Sequence, residues 1–288
     1  MNQAISTRSI RANGINFTYR EAGSGPLVLC IHGFPDTAES FDEVLTQLAS
    51  MGYRAVAPFT RGIAPTEAPA DDDYSVLTLG RDVLALITAL GAERATLIGH
   101  DWGAGAAYAA AALEPSRIER LVTLAVPPPK INRLTPAWLA MALFFQVTPL
   151  ATRALSAGHG AAIDFIYRAV SPGWHFGPEA TAPFKAVLAA PGGARSAIGT
   201  YRSIVRGMVS GARKASAGVL LKKIEVPTMI VLGAADPTNR GAPLERMGDA
   251  FAAPYELVML EGAGHFPHRE KPEAFAKHLE RFLGPTPR

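Results

Sequence analysis

Short, continuous apolar runs alternate with amphipathic helical segments through most of this chain. The runs near residues 26–31, 54–58, 95–98 and 121–126 are each bounded by turn residues, and helical patterns such as 76–90 separate them. An apolar run without alternating polar positions is typical of a strand that is covered on both faces. Strand and helix in regular alternation predict a doubly wound, mostly parallel sheet.

The alternation is interrupted once, at the three prolines 127–129. From there to Leu221 the sequence is helical and irregular, and the segment carries ten basic residues against two acidic ones. We therefore predict an α/β core of residues 1–127 and 222–288, with a helical cap of residues 128–221 inserted into it. The basic excess is interpreted as a solvated face; the alternative is that it steers an anionic substrate.

The composition is that of an ordinary folded protein. Hydrophobic residues make up 48% and charged residues 18% of the 288 positions, which argues against disorder. No apolar run occupies residues 1–14, and the most apolar stretch, 139–147, is far shorter than the roughly 20 residues of a membrane span. A cytoplasmic location is expected. The lone cysteine, Cys30, lies in an apolar run and is expected to be a buried small side chain.

Residues 99–103, Gly-His-Asp-Trp-Gly, directly follow the apolar run that ends at Ile98. Glycines on both sides of a central residue allow the sharp strand-to-helix turn that exposes a nucleophile above a sheet. The central residue is Asp101, and the start of a helix favours its ionised carboxylate. The simpler alternative is that Asp101 only caps the helix that begins near Trp102. Three further loops that follow buried strands favour the nucleophile.

An acid and a histidine follow this candidate nucleophile, each just after a buried run. Asp236 lies in Gly-Ala-Ala-Asp-Pro and His265 in Gly-Ala-Gly-His-Phe. An imidazole held by a carboxylate can take a proton from water, which hydrolysis of an ester on Asp101 would require. The competing histidines are expected to pack loops (His32 and His100) or to lie on the surface (His268 and His278).

The negative charge that develops on the Asp101 carbonyl oxygen during water attack needs a binding site. The loop His-Gly-Phe-Pro at 32–35 follows another buried run, and the backbone N–H groups of Phe34 and Trp102 are predicted to receive that charge. No spacing of His, Cys and carboxylate residues resembles a metal site, so neither a metal nor a cofactor is expected.

These motifs resemble those of the epoxide hydrolase branch of the α/β-hydrolases, and the likeness covers nearly the whole chain. The resemblance rests on residues 32–36, 99–103, 233–237 and 264–265. It implies an α/β-hydrolase fold and an epoxide opened by attack of Asp101 to give an ester. Water activated by His265, which Asp236 orients, would then release a vicinal diol.

The family also uses cap tyrosines to protonate the departing oxygen, and Tyr201 matches the position of one of them. Met141 occupies the place of the other, so a substitute donor, a single donor and a substrate other than an epoxide all stay open. The substitutes considered are Tyr167, His159 and His175. The residues expected to bind substrate are His32, Pro35, Trp102, Trp138, Met141, Phe145 and Tyr167.

Haloalkane dehalogenases share the aspartate nucleophile and the tryptophan that follows it. They expel a halide, which needs two N–H donors; here these would be Trp102 and either Trp138 or Trp174. Phe34 stands where dehalogenases commonly place Asn or Glu, which favours the epoxide.

A catalytically silent binding module is the remaining alternative. It is disfavoured because Asp101, Asp236 and His265 are all present. The expected partners are an apolar small-molecule substrate and water, without nucleic acid or membrane. A homodimer stays open.

Overall fold

The computed structural model describes residues 4–131, 143–146, 148–210 and 212–284. Eight strands form one sheet in the order β1-β2-β4-β3-β5-β6-β7-β8. Their bounds are β1 Ser6–Ala12, β2 Ile15–Ala22, β3 Leu27–Ile31, β4 Arg54–Pro58, β5 Ala95–His100, β6 Ile118–Leu124, β7 Thr228–Gly233 and β8 Tyr255–Leu260. Strand β2 pairs antiparallel with β1 and β4, and all other neighbours are parallel. The predicted mostly parallel sheet is confirmed.

Helices connect the parallel strands and cover both faces of the sheet. The α-helices are α1 Asp42–Ser50, α2 Val76–Ala89, α3 Trp102–Leu113, α4 Thr148–Ser156, α5 Ala161–Val170, α6 Ala182–Ala189, α7 Gly193–Ala197, α8 Gly199–Ser210, α9 Ala212–Leu220, α10 Pro267–Glu270 and α11 Pro272–Leu283. Short 3-10 helices cover Ala38–Phe41, Pro115–Arg117, Ala157–Gly160, Pro178–Ala180, Pro237–Asn239 and Leu244–Ala250.

Strand β3 illustrates why the central strands are continuous apolar runs. All five of its residues are buried. Val28 and Cys30 belong to the apolar layer that contains α1 and α11, whereas Leu29 and Ile31 belong to the layer that contains α2 and α3. Burying a side chain of this size stabilises the fold by about 1.5–3 kcal/mol. Because both faces are apolar, polar groups gather in the loops at the carboxyl ends of the strands.

The described residues between β6 and β7 form helices and turns, in line with a helical insertion. We refer to residues 128–221 as the cap segment, whose boundaries stay a prediction. Its side chains Phe145, Phe184 and Tyr201 share an apolar layer with Phe34, which follows β3. The cap segment therefore packs against the end of the sheet where the predicted site lies. Across the described residues, no helix combines the length and hydropathy that crossing a bilayer requires.

Candidate active site

The turn after β5 sets Asp101 at the end of the sheet. Asp101 has φ 51° and ψ −116°, a conformation that costs an L-residue about 1–3 kcal/mol. Two glycines permit the close packing of this turn. A Cβ on Gly103 would lie 1.9 Å from the carbonyl oxygen of Ile31, and a Cβ on Gly99 would lie 2.4 Å from the carbonyl oxygen of Gly103. The strained backbone thus presents one carboxylate at the start of α3.

The two carboxylate oxygens of Asp101 have different neighbours. Oδ1 accepts a hydrogen bond of 2.9 Å from the backbone N–H of Phe34, and Oδ2 lies 3.5 Å from Nε2 of His265. Within the described residues, the Asp101 side chain makes no hydrogen bond that caps α3. Burial would raise the pKa of Asp101, but the hydrogen bond and charge of His265 outweigh burial and lower it. The carboxylate is therefore ionised at neutral pH.

Asp236 holds the opposite edge of the His265 ring. Its Oδ2 accepts a hydrogen bond of 2.8 Å from Nδ1 of His265. Asp236 is itself fixed by the backbone N–H of Thr238 at 2.8 Å and the side-chain amide of Asn239 at 3.1 Å. Burial disfavours the charged imidazole, but the carboxylates of Asp236 and Asp101 outweigh burial and raise the pKa of His265. An imidazolium therefore lies between two carboxylates at neutral pH.

The loop that carries His265 is fixed by Glu270 and by the cap segment. Glu270 accepts hydrogen bonds from the backbone N–H groups of Gly264 at 2.7 Å and Phe266 at 2.9 Å, and from the Ser171 hydroxyl at 2.7 Å. The Ser171 oxygen in turn accepts a hydrogen bond of 2.9 Å from the His265 N–H. Neither Glu270 nor Ser171 was predicted from the sequence, in which the only signal is an acid five positions after His265.

The loop that carries Phe34 is fixed by His32. Nε2 of His32 accepts a hydrogen bond of 2.9 Å from the Thr60 N–H, and Nδ1 donates one of 3.0 Å to the Gly33 carbonyl. Both ring nitrogens of His32 are hydrogen-bonded to backbone groups, so neither is available to bind a substrate. Trp102, the other residue predicted to receive negative charge, directly follows Asp101 and is the first residue of α3.

Tyr201 lies on α8 in an aromatic cluster against the Asp101 turn. Its ring centroid lies 5.3 Å from that of Phe34, 5.2 Å from that of Trp102 and 4.9 Å from that of Phe145. The Trp102 side chain lowers the pKa of the Tyr201 hydroxyl, but less than other causes raise it. Burial, reinforced by the charge of Asp101, raises the pKa of Tyr201. The hydroxyl therefore keeps a proton that it can donate.

Tyr167 is brought close to the predicted site, but its hydroxyl is engaged. It donates a hydrogen bond of 3.0 Å to the Pro35 carbonyl and accepts one of 3.2 Å from Arg269. In this arrangement Tyr167 does not replace the missing cap tyrosine. The other substitutes considered, His159 and His175, have exposed side chains. Trp138 and Met141 lie outside the described residues.

The prediction that His268 lies on the surface is wrong. Its ring is buried, stacked on Phe41 at 4.8 Å, and lies 5.1 Å from the ring of His100. The short helix α10 turns this side chain inward. His100 donates a hydrogen bond of 2.8 Å to the His265 carbonyl, and its Nδ1 lies 3.7 Å from Oδ2 of Asp36. Burial raises the pKa of Asp36 to about 6 and lowers the pKa of both histidines. The two imidazoles behind His265 are therefore neutral at neutral pH.

The fold and this arrangement of side chains define the class of protein. The family model described as alpha/beta hydrolase fold matches residues 26–272, and the chain belongs to that family. Within the described ranges, no three His, Cys, Asp or Glu side chains are grouped so that they could hold a metal ion.

Within this family the chain is a hydrolase that is similar to epoxide hydrolases. It is 27% identical to epoxide hydrolase A of Mycobacterium tuberculosis over 97% of this chain and 98% of that one. It is 44% identical to an epoxide hydrolase of Caballeronia sordidicola, but over only 43% of this chain and 38% of that relative. The crystal structure of epoxide hydrolase A from Mycobacterium thermoresistibile matches with a TM-score of 0.83 and 27% identity, covering 97% of this chain and 98% of that chain.

Proposed function

We propose that this protein hydrolyses epoxides to vicinal diols through a covalent ester on Asp101. The observation that carries the proposal is the pair of contacts that Asp101 makes, with Phe34 N–H at one oxygen and His265 at the other. Asp236 completes the arrangement behind the imidazole. The similar proteins named above are called epoxide hydrolases, which supports the same substrate class here.

The first step is the opening of the epoxide ring. Oδ2 of Asp101 forms a bond to an epoxide carbon, and the bond between that carbon and the ring oxygen breaks. The departing oxygen takes the proton of the Tyr201 hydroxyl. The Trp102 ring centroid lies 5.2 Å from that of Tyr201, and the indole N–H can donate to the phenolate that remains. The products of this step are a hydroxyalkyl ester and a phenolate.

Formation of the ester changes the charge next to His265. The Asp101 carboxylate is one of the two groups that raise the pKa of His265, and an ester carries no charge. The imidazolium therefore becomes more acidic and can return a proton to the Tyr201 phenolate. His265 is left neutral, as a general base must be.

The second step is hydrolysis of the ester. Neutral His265 takes a proton from water while the water oxygen attacks Cγ of Asp101, and negative charge develops on Oδ1, where the N–H groups of Phe34 and Trp102 can receive it. The bond between Cγ and Oδ2 then breaks, and the carboxyl proton passes to the departing alkoxide. The diol leaves with the former Oδ2, the water oxygen stays in the carboxylate, and the imidazolium is restored.

The side chains around the site favour an apolar epoxide over a haloalkane. The aromatic rings of Phe34, Trp102 and Phe145 pack around that of Tyr201. Halide release would need a second N–H donor beside Trp102. Of the two candidates, Trp138 lies outside the described residues, and Trp174 packs against Tyr167 and Phe266. A departing epoxide oxygen, in contrast, needs the proton that Tyr201 carries.

The proposal is tested by trapping the ester. In His265→Gln the ester should form but not hydrolyse, because glutamine cannot accept a proton from water. Intact-protein mass spectrometry after incubation with a terminal aryl epoxide should show the mass of one substrate added, and the double variant Asp101→Ala/His265→Gln should show none. Absence of an adduct in His265→Gln at saturating epoxide would count against the two-step route.

Isotopic labelling tests which atom reaches the product. During a single turnover in isotopically heavy water, the first diol should carry no heavy oxygen, and the protein should gain one at Asp101. Heavy oxygen in the first diol with none in the protein would mean that water attacks the epoxide directly, and the proposal would be rejected. Release of halide from haloalkanes without diol formation from epoxides would assign the second candidate function.

A further inference from the structure

Asp72, in a loop of the core, forms ion pairs with a helix of the cap segment. Asp72 lies between β4 and α2, and its carboxylate forms ion pairs with Arg202 at 2.6 Å, Arg206 at 2.7 Å and Arg195 at 2.9 Å. Arg202 and Arg206 belong to α8, the helix that carries Tyr201. One core carboxylate thus holds three cationic side chains of the cap segment.

The loop presents Asp72 through its own backbone geometry. Asp72 has φ 54°, a left-handed conformation that Asp and Asn tolerate better than other side chains. On either side, Asp71 accepts a hydrogen bond from the Asp73 N–H, and Asp73 accepts one from the Ser75 N–H. These hydrogen bonds lie within the loop, so they hold its conformation independently of the cap segment.

The same loop contacts α8 over two turns of the helix. The Tyr74 N–H donates a hydrogen bond of 3.1 Å to the Ser203 hydroxyl, and a Cβ on Gly199 would lie 2.5 Å from the Tyr74 ring. At about 100° per residue, positions 199, 202, 203 and 206 share one face of a helix and position 201 lies on the opposite face. Helix α8 is therefore held by the loop on one side and presents Tyr201 to the Asp101 turn on the other.

One of the three arginines that contact Asp72 is buried. The Arg202 side chain is 4% exposed, whereas those of Arg195 and Arg206 are 55% and 54% exposed. A buried guanidinium that loses its carboxylate partner is strongly unfavourable, so α8 would shift to bring Arg202 to water. The ring contacts of Tyr201 are less directional than an ion pair and would not prevent such a shift.

We propose that Asp72 is a positioning residue for epoxide opening, because its ion pairs with α8 set the distance between the Tyr201 hydroxyl and the substrate held at Asp101. This inference rests on the proposed function, in which Tyr201 protonates the departing oxygen. A displacement of about 1 Å at a reacting group can cost about 100-fold in rate. Ester hydrolysis does not use the Tyr201 proton, so Asp72 should matter for the first step alone.

The test compares Asp72→Asn with Asp164→Asn. Asn keeps the left-handed loop conformation of residue 72 and removes only the charge. Asp164 is the matched control, because its ion pair with Lys185 at 2.7 Å lies within the cap segment. Rapid-quench intact mass spectrometry should show ester formation slowed about 10- to 100-fold in Asp72→Asn, with ester hydrolysis unchanged. Asp164→Asn should change neither rate.

A double-mutant cycle separates positioning from general loosening of the structure. In a Tyr201→Phe background, Asp72→Asn should slow ester formation less than about 2-fold further, because the group that it positions is gone. Full additivity of the two substitutions, or equal slowing of ester formation and hydrolysis, would overturn the proposal. Asp72→Glu should recover part of the lost rate.

If Asp72→Asn does not fold, Arg206→Gln replaces it. This variant removes an exposed partner and keeps the buried Arg202 pair, so ester formation should slow by about 2- to 5-fold, the range of an exposed ion pair. An unchanged rate would overturn the proposal. An ester that forms normally in both variants overturns only the role of Asp72, whereas absence of any ester in the wild-type protein rejects the proposed function as well.

Discussion

The core half and the cap half of the candidate site are held in place by different means. In the core half, Asp101, Asp236 and His265 follow strands of one sheet, and hydrogen bonds of 2.8–2.9 Å fix them. In the cap half, Tyr201 is carried by α8, which side-chain ion pairs and ring contacts hold against the core. Groups fixed by a sheet need no reorganisation when charge develops. In the proposed function, the core half carries out the covalent chemistry and the cap half controls the leaving group.

The largest effect is expected from the core half. Asp101→Ala removes the proposed nucleophile, so diol formation should fall by about 10⁴-fold or more, as for loss of a nucleophile that works as part of a catalytic unit. Steady-state diol release measured by chromatography checks this. A variant that retained wild-type turnover would remove the distinction between the two halves, because the core would then do no covalent chemistry.

A smaller and more selective effect is expected from the cap half. Tyr201→Phe removes the proton for the departing oxygen and should slow ester formation from epoxides by about 10²-fold, within the usual range for general acid catalysis. Ester hydrolysis should stay within about 2-fold of wild type, because that step uses His265. The two rates are measured separately by rapid quench.

Alkyl halides provide the control for Tyr201→Phe. A halide leaves without a proton, so any turnover of a haloalkane should be spared. An equal loss on both substrate classes would mean that Tyr201 packs the site instead of donating a proton.

The core half was easier to predict from the sequence because its groups follow buried strands. The positions of Asp101, Asp236 and His265 could each be read from an apolar run followed by glycines. The ends of the strands were predicted less accurately. β5 was expected to end at Ile98 but continues to His100, because Gly99 and His100 still pair with β6.

The contacts that join the two halves could not be predicted, since they link segments far apart in the chain. Glu270 and Ser171 are separated by about a hundred residues, and no local pattern relates them. The basic excess of the cap segment was interpreted as a solvated face, yet three of those arginines contact Asp72. A residue count gives the excess charge but not the position of its partner.

The pH dependence should separate the two chemical steps. The lowered pKa of Asp101 keeps the nucleophile ionised, and the raised pKa of Tyr201 keeps its proton, so ester formation should be flat between about pH 6 and 9. Ester hydrolysis needs neutral His265. Below the pKa of His265 in the ester, its rate should fall about 10-fold for each unit that the pH falls.

Rapid-quench measurements of ester formation and ester hydrolysis across this pH range check whether the two steps differ in their pH dependence. The midpoint for hydrolysis should lie below the pKa of His265 in the free protein, because the Asp101 charge that raises it is lost in the ester. A flat hydrolysis rate combined with a titrating rate of ester formation would contradict the proposed order of proton transfers.

The smallest expected effect concerns the loop that carries His265, which Glu270 of the core and Ser171 of the cap segment hold. Glu270→Ala leaves the N–H groups of Gly264 and Phe266 without their acceptor, and an unsatisfied buried N–H costs about 1–3 kcal/mol. The His265 loop should shift and ester hydrolysis should slow by about 10-fold, the rate equivalent of a change of about 1.4 kcal/mol. Ester formation should change less, since Phe34 fixes Asp101 independently.

Glu273→Ala is the matched control, because Glu273 is an exposed glutamate of the next helix; both rates should stay near wild type. Ser171→Ala should slow hydrolysis less than Glu270→Ala does, since the Val170 carbonyl still accepts from the His265 N–H at 3.2 Å. Tyr201→Phe and Glu270→Ala thus affect opposite steps. If Glu270→Ala slowed ester formation more than hydrolysis, the two halves would not act separately, and the His265 loop would have to control the opening step as well.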